Sequence, residues 1–209
     1  MTPALYPVWQ DLLLNFTQEE TRIQQLWAEL EAAYSGKNRH YHTLHHIQSM
    51  LQLAETHQVR AQGPLLLKLA IFYHDAVYKT TRNDNEEKSA QLACQRMKGL
   101  GLPPADLDQL GHMILATKQH QRQPQPDTNL LLDLDLSILG SGWLTYWEYT
   151  QLIRKEYSVY PDVLYKPGRK KVLQHFLDQE QIFKTGHFTT LFEAQAKENL
   201  RRELDILAR

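Results

Sequence analysis

A chain of 209 residues with 42% hydrophobic and 22% charged side chains has the make-up of an ordinary globular protein, and nothing in it reaches the ~18 consecutive apolar residues that a membrane-spanning helix needs. Its formal net charge of −1 supplies no basic field for nucleic acid or for an acidic membrane. Cys94 is the only cysteine, which excludes an intramolecular disulfide, and the start, Met1 to Tyr6, has neither the basic nor the apolar region of a leader, so the expected setting is the cytoplasm.

Leu5, Trp9, Leu12, Leu13 and Phe16 recur at helical spacing. Thr17, with Glu20 three residues on, resembles a capping box. It opens a helix striped by Ile23, Leu26, Trp27, Leu30 and Tyr34, which Ser35 to Asn38 end. Both segments read as scaffold. The stretch from Arg39 to Ile47 opens the next helix, whose apolar stripe is Leu44, Ile47, Met50, Leu51 and Ala54. Its histidines are the first chemical signal. At about 100° per residue, His46 borders the Met50 edge of the stripe, His42 lies one turn above it on the same flank, and His45 points away. His46 is the leading metal-ligand candidate of this cluster and His42 the next.

Gly63-Pro64 starts a helix through Leu65 to Ala70, with Lys68 its only charge, and on through Ile71-Phe72-Tyr73-His74-Asp75. A segment apolar on nearly every face belongs in a core. It nevertheless ends in an imidazole beside a carboxylate, two groups that are costly to bury uncompensated. A divalent cation compensates both, because neutral His and ionised Asp are good ligands for it. Beyond the polar loop Lys79 to Asn83, Asp84 or Asn85 caps a helix with Glu86 and Glu87 in its first turn and Ala90, Ala93, Cys94, Met97 and Leu100 on its inner face. Glu86, so soon after His-Asp, is placed to reach the metal or its water. A break at Gly99 to Pro104 precedes a helix carrying Leu107, Leu110, Ile114 and Thr117. This helix ends near Lys118-Gln119-His120, with His112 outward and His120 near the edge of the apolar face.

After a proline-bearing polar loop, Gln121 to Asn129, the run Leu130 to Gly140 sets two carboxylates, Asp133 and Asp135, among apolar residues. Asp135 would complete a His, His, Asp, Asp set, with Asp133 as the competing choice. Trp143 to Ser158, Gly168 to Phe183 and Thr189 to Ala208 read as helices. No period-2 strand, glycine-rich phosphate loop or internal repeat is present. The expected fold is all-α, one domain over 1–209 with about eight helices, its ligands drawn from separate helices as in bundle-core metal sites.

The ordered set His46, His74-Asp75, Asp135 resembles the HD-domain superfamily of metal-dependent phosphohydrolases, whose motif is a His, a His-Asp pair and a distant Asp. Tyr41-His42-Thr43-Leu44-His45-His46 is similar to the Tyr-His-x-x-x-His signature of cyclic-nucleotide phosphodiesterases, and Asp135-Leu136-Ser137 to their last metal-ligand segment. The whole chain is similar to a branch of predicted phosphohydrolases of that superfamily. The matching stretches are Arg39 to His42, Phe72 to Tyr78, Asp84 to Ala90, Asp133 to Gly140 and Gly168 to Leu173. The resemblance implies a helical bundle of the HD-domain type, metal ligands at His46, His74, Asp75 and Asp135, and His42 at the position of the phosphodiesterase proton donor. The Asp-His-Pro segment that follows His-Asp in those phosphodiesterases is absent, Tyr78-Lys79 standing in its place. No nucleobase-clamping glutamine is evident either, so a cyclic nucleotide is not the expected substrate.

The expected chemistry is hydrolysis of a small phosphate ester by a metal-activated water. Glu86 or Asp75 holds or deprotonates the water and His42 protonates the leaving oxygen. Lys118, Arg82, Arg39, Arg169 and His120 are candidate substrate contacts. The donor set suits manganese, iron, zinc, cobalt or nickel better than magnesium. One or two ions are compatible with it, His42, Glu86 and His120 being available to a second. Two alternatives stand beside this expectation: an HD-type oxygenase with two irons, and a metal-stabilised binding or regulatory domain without catalysis.

Overall fold

The computed structural model of the chain describes residues 5–208; Met1 to Ala4, on which the leader reading rests, lie outside them. Among the described residues there are ten α-helices, one 3-10 helix and no strand. The all-α expectation is met, with more helices than the eight expected. No helix among the described residues is long and apolar enough to cross a membrane. The chain divides into two compact units, residues up to 131 and from 132 onward.

The first unit contains α1 (Leu5–Leu13), α2 (Glu20–Tyr34), α3 (Leu44–Thr56), α4 (Pro64–Tyr73), α5 (Asn85–Lys98) and α6 (Pro104–Ala116). Its axis is α4, which buries Leu66, Leu67 and every residue from Leu69 to Tyr73 and packs against α1, α3, α5 and α6. The near-absence of polar residues in α4 follows from that position: each fully buried Leu, Ile or Phe contributes roughly 1.5–3 kcal/mol. Trp9 of α1 sets its ring edge-on to Phe72, centroids 5.1 Å apart, and donates its indole N–H to the Ile23 carbonyl at 3.2 Å. Tyr34, at the end of α2, donates to the Phe72 carbonyl at 3.0 Å.

Several helix starts differ from the periodicity. The capping box at Thr17 does not form. Helix α2 begins at Glu20, and the Thr17 hydroxyl accepts from the Glu19 amide at 3.1 Å, outside the helix. Helix α3 begins at Leu44 rather than Arg39, because Thr43 is its N-cap and accepts from the His45 amide at 3.3 Å. The run before it, including His42, is therefore non-helical. Asp84 is the N-cap residue of α5 without a side-chain cap bond. Helix α7 (Pro126–Leu136) starts inside the expected loop. There the carboxylate of Asp127 accepts the Gln62 and Gly63 amides at 2.9 and 2.6 Å, tying the entrance of α4 to the start of α7.

The division between the units falls within α7. The second unit continues through the 3-10 helix Ser137–Gly140, α8 (Trp143–Glu156), α9 (Asp162–Leu177) and α10 (Gly186–Ala208). Helix α9 starts six residues before the expected Gly168 and carries Pro167 inside it. The proline removes one donor; the carbonyl it would have served is that of Val163, a residue that is 75% exposed. The 3-10 helix packs on α8 and α10. A Cβ on Gly140 would collide with the Cβ of Phe192 and lie 2.8 Å from its carbonyl oxygen, so only glycine permits this approach. Asn199 of α10 donates to the Leu139 and Ser141 carbonyls at 2.8 and 2.7 Å, clamping the same turn. The α9–α10 connection is held by Glu193, which accepts the Ile182 and Phe183 amides at 3.0 and 3.1 Å.

Candidate metal centre

Burial of α4 carries its last residues into the core; His74 goes with them, and Asp75 stays partly exposed beside it. His74 is the C-cap residue, its amide donating to the Ala70 carbonyl at 2.9 Å. Its imidazole is 1% exposed, and Nδ1 lies 2.9 Å from the Ile71 carbonyl oxygen. A carbonyl only accepts, so Nδ1 carries the proton there, and neutral imidazole then presents its lone pair at Nε2. Nε2 stands 3.3 Å from Oδ2 of Asp75. A lone pair facing a carboxylate oxygen calls for a positive centre between them, either a proton or a metal. Donation of the far ring nitrogen to a backbone carbonyl is the usual arrangement of a metal-ligating histidine.

His46 reaches the same place from α3. It is buried, its ring centroid 5.3 Å from that of His74. Ligand atoms of His46, His74 and Asp75 all lie within 4.8 Å of one another. The donor set is two imidazoles and a carboxylate, neutral-N and anionic-O, which fits a divalent first-row cation.

His42 enters this neighbourhood by a route other than the one its spacing suggested. It precedes the α3 N-cap, yet its ring lies 6.0 Å from that of His46 and its Nε2 is 3.9 Å from Asp75 Oδ2. Tyr78 packs on its face at 4.3 Å, and Tyr41 lies 5.0 Å from both His42 and His46. His45 is exposed, as its position in the helix predicted.

The loop after His-Asp is clipped to α5. Asn85 accepts the Lys79 amide and donates to the Lys79 carbonyl, both at 3.0 Å. The Ser89 hydroxyl accepts the Val77 amide at 3.0 Å and donates to the Val77 carbonyl at 3.2 Å. Asn85 and Ser89 are buried, one turn apart on α5. Sequence reasoning gave them no part in the site; the signal available was a pair of small polar residues at i, i+4 opening a helix directly after the His-Asp loop. Glu86 follows Asn85 and is half-buried. Burial pushes its carboxyl above the usual range against the pull of its own backbone amide, and the charge of Asp75 pushes the same way.

The cations singled out in the sequence separate. Lys118 is exposed and donates to Glu87 at 2.5 Å and to the Asn83 carbonyl at 2.6 Å; its charge reaches Glu86. Arg82 forms an exposed bidentate pair with Asp84 at 2.7 and 2.8 Å. Arg39 donates to the His42 and Ala76 carbonyls at 3.0 and 3.1 Å. His120 follows α6 in a left-handed backbone conformation, φ 50°. Arg169 belongs to the second unit. It is buried there against Glu203, Nε and Nη2 donating at 2.7 and 3.0 Å, with Tyr146 donating to the same carboxylate. Offered by the sequence as a substrate-facing cation, it forms here one half of an internal ion pair.

The two acids of α7 also differ. Asp133 is fully buried and accepts the Lys184 amide at 2.6 Å, the Thr185 amide at 2.8 Å and the Thr185 hydroxyl at 2.7 Å; it anchors the start of α10. Asp135 is half-buried; burial pushes the Tyr149 phenol upward, Arg169 opposes that, and the charges of Glu203 and Asp135 add to the rise. No protein-family model, curated protein or solved structure matches this chain.

Proposed function

We propose that this chain is a metal-dependent phosphohydrolase of the HD-domain type, acting on a small phosphate ester such as a nucleotide or a sugar or inositol phosphate in the cytoplasm. The observation that carries the reading is the His46, His74 and Asp75 set, both imidazoles buried and the carboxylate partly so, with the His74 Nδ1 bond to Ile71 directing Nε2 towards Asp75. In this reading these three side chains hold the cation and Asp135 is the fourth ligand, since the oxygens of Asp133 are committed to Lys184 and Thr185. Manganese, iron, zinc, cobalt and nickel all suit such donors; a second ion, were one bound, would take His42, Glu86 and His120 in place of the proton-transfer roles below.

A bound divalent cation supplies Lewis acidity, lowering the pKa of a water and neutralising charge on a phosphoryl group. Glu86, its carboxyl raised by burial, accepts the water's proton, with Asp75 orienting the water. His42, held between Tyr78 and Asp75, delivers a proton to the leaving oxygen. Lys118 is the cation whose charge reaches Glu86 and is the first choice for contacting the phosphate.

The test is elemental analysis of protein purified without chelator, beside Asp135→Ala and Asp133→Asn, followed by a panel of phosphate esters with manganese, nickel or cobalt. The expected result is a metal load reduced by Asp135→Ala but not by Asp133→Asn, and ester hydrolysis that His42→Ala slows. Equal metal in wild type and Asp135→Ala removes Asp135 from the ligand set. Iron with oxygen uptake and no hydrolysis would establish the two-iron oxygenase instead. A blank panel with lowered thermal stability in Asp75→Ala would leave a metal-stabilised binding domain.

A further inference from the structure

We propose that Arg39 is the positioning residue for His42, holding its imidazole against Asp75 and so over the metal centre. The catalytic consequence rests on the hydrolase reading above; the geometric one does not.

His42 lies in the non-helical run before Thr43, where no helical hydrogen-bond ladder fixes it. Arg39 takes over that task. One nitrogen of its guanidinium donates to the carbonyl of His42 itself at 3.0 Å, and another to the carbonyl of Ala76 at 3.1 Å. Ala76 immediately follows Asp75. A single planar group therefore joins the strand of chain carrying His42 to the strand carrying His74 and Asp75.

The fork is itself held by two rings. Its Cζ lies 4.8 Å from the Tyr34 ring centroid and 5.3 Å from that of Tyr78, distances at which a guanidinium is attracted to a ring face. Both rings are anchored, Tyr34 through its hydroxyl to the Phe72 carbonyl at 3.0 Å and Tyr78 against the His42 ring at 4.3 Å. Arg39 thus touches the backbone of His42, the backbone beyond Asp75, and the ring on which the His42 imidazole packs. Lysine has the charge but not the planar pair of donors, nor the flat face for two tyrosines. These contacts also turn Arg39 away from the role of phosphate contact that its charge alone suggested.

The experiment compares manganese-loaded wild type with Arg39→Lys and Arg39→Ala in two assays. The first is carbethoxylation of His42 by diethyl pyrocarbonate, followed by peptide mass, which needs no turnover. Both variants are expected to react faster at His42 with an unchanged metal load, and added guanidinium to slow Arg39→Ala again. The second is steady-state hydrolysis. Here kcat should fall about 10- to 100-fold, as for a displaced catalytic group, with KM little changed. His42 reacting at the wild-type rate in Arg39→Ala overturns the proposal, and so does a loss confined to KM, which would make Arg39 a substrate contact. Wild type that hydrolyses nothing would sink the hydrolase reading, while the modification rates would still decide Arg39. If Arg39→Ala does not fold, Arg39→Lys carries both assays.

Discussion

Each unit of this protein draws a cluster of polar side chains inward, and the clusters differ in chemistry. In the second unit, Arg169 and Glu203 neutralise each other through two hydrogen bonds, and Tyr146 satisfies the same carboxylate. In the first, His46, His74 and Asp75 bring two imidazoles and a carboxylate together, with the His74 Nδ1 proton committed to a backbone carbonyl. One cluster is closed by a charge pair within it; the other sets a ring nitrogen 3.3 Å from a carboxylate oxygen, the place of the cation in the function proposed above. Burial of charge alone therefore does not mark a site; the kind of groups brought together does.

The largest effect expected from this contrast is in the complete cluster. Arg169→Met leaves Glu203 buried without its cation and should cost about 3–5 kcal/mol, as when one half of a buried pair is removed, read from urea unfolding. Adding Glu203→Leu should recover much of the loss; a double variant no more stable than the single would show that the pair is not balanced. The His-Asp cluster should respond to metal instead. A divalent cation at 100 times its Kd should stabilise wild type by about 2.7 kcal/mol, seen as a rise in Tm, and Asp75→Asn should abolish the rise. Wild type indifferent to manganese, zinc and nickel would erase the contrast.

Between these lies a packing test that no cation should influence. Gly140→Ala puts a methyl into Phe192 and should cost about 1–3 kcal/mol, as overpacking does, equally with and without metal. The smallest effect belongs to the half-exposed pair of Arg96 with Glu29 at 2.7 Å. The Arg96 hydrogen bond lowers the Glu29 carboxyl from 4.5. Its stabilisation is therefore fully present above that pH and is lost as pH falls through the lower, folded value. Glu29→Gln should flatten the acid limb of the stability curve, by less than about 1 kcal/mol for a solvent-screened pair; unfolding midpoints at neutral and acid pH would measure it.

The helices were legible because their apolar residues recur at the helical period, and α4 was legible as a core helix because it lacks a polar face. Their starts were less so. Thr17 and Thr43 have the same chemistry, but only Thr43 caps, and propensity does not distinguish them. A helix start at Gly168 places Pro167 just outside it, yet α9 runs through Pro167, the carbonyl left without its donor being that of the exposed Val163. His46, His74 and Asp75 could be picked from the sequence because each is polar at the edge of an apolar run. His42 was picked by a helical argument that does not hold, and reaches Asp75 through a turn. In the sequence Arg39 is a generic cation, Asn85 a candidate helix cap and Ser89 carries no signal of its own, because what they grip is backbone some distance away in sequence. Asp133 and Asp135 were indistinguishable as letters; the bonds of Asp133 to Lys184 and Thr185 separate them.

The double clip of Asn85 and Ser89 on Lys79 and Val77 bears on how fast an ion is captured. Ordering a loop residue costs roughly 1–2 kcal/mol, and a turn braced from α5 has already met that cost during folding. An arriving ion would find its acidic partner at rest, so the slow event of capture becomes the shedding of the ion's own hydration water. Stopped-flow traces should then rank manganese, zinc and nickel by their water-exchange lability, and loosening the clip with Asn85→Ala should replace that ranking with one common, slower rate.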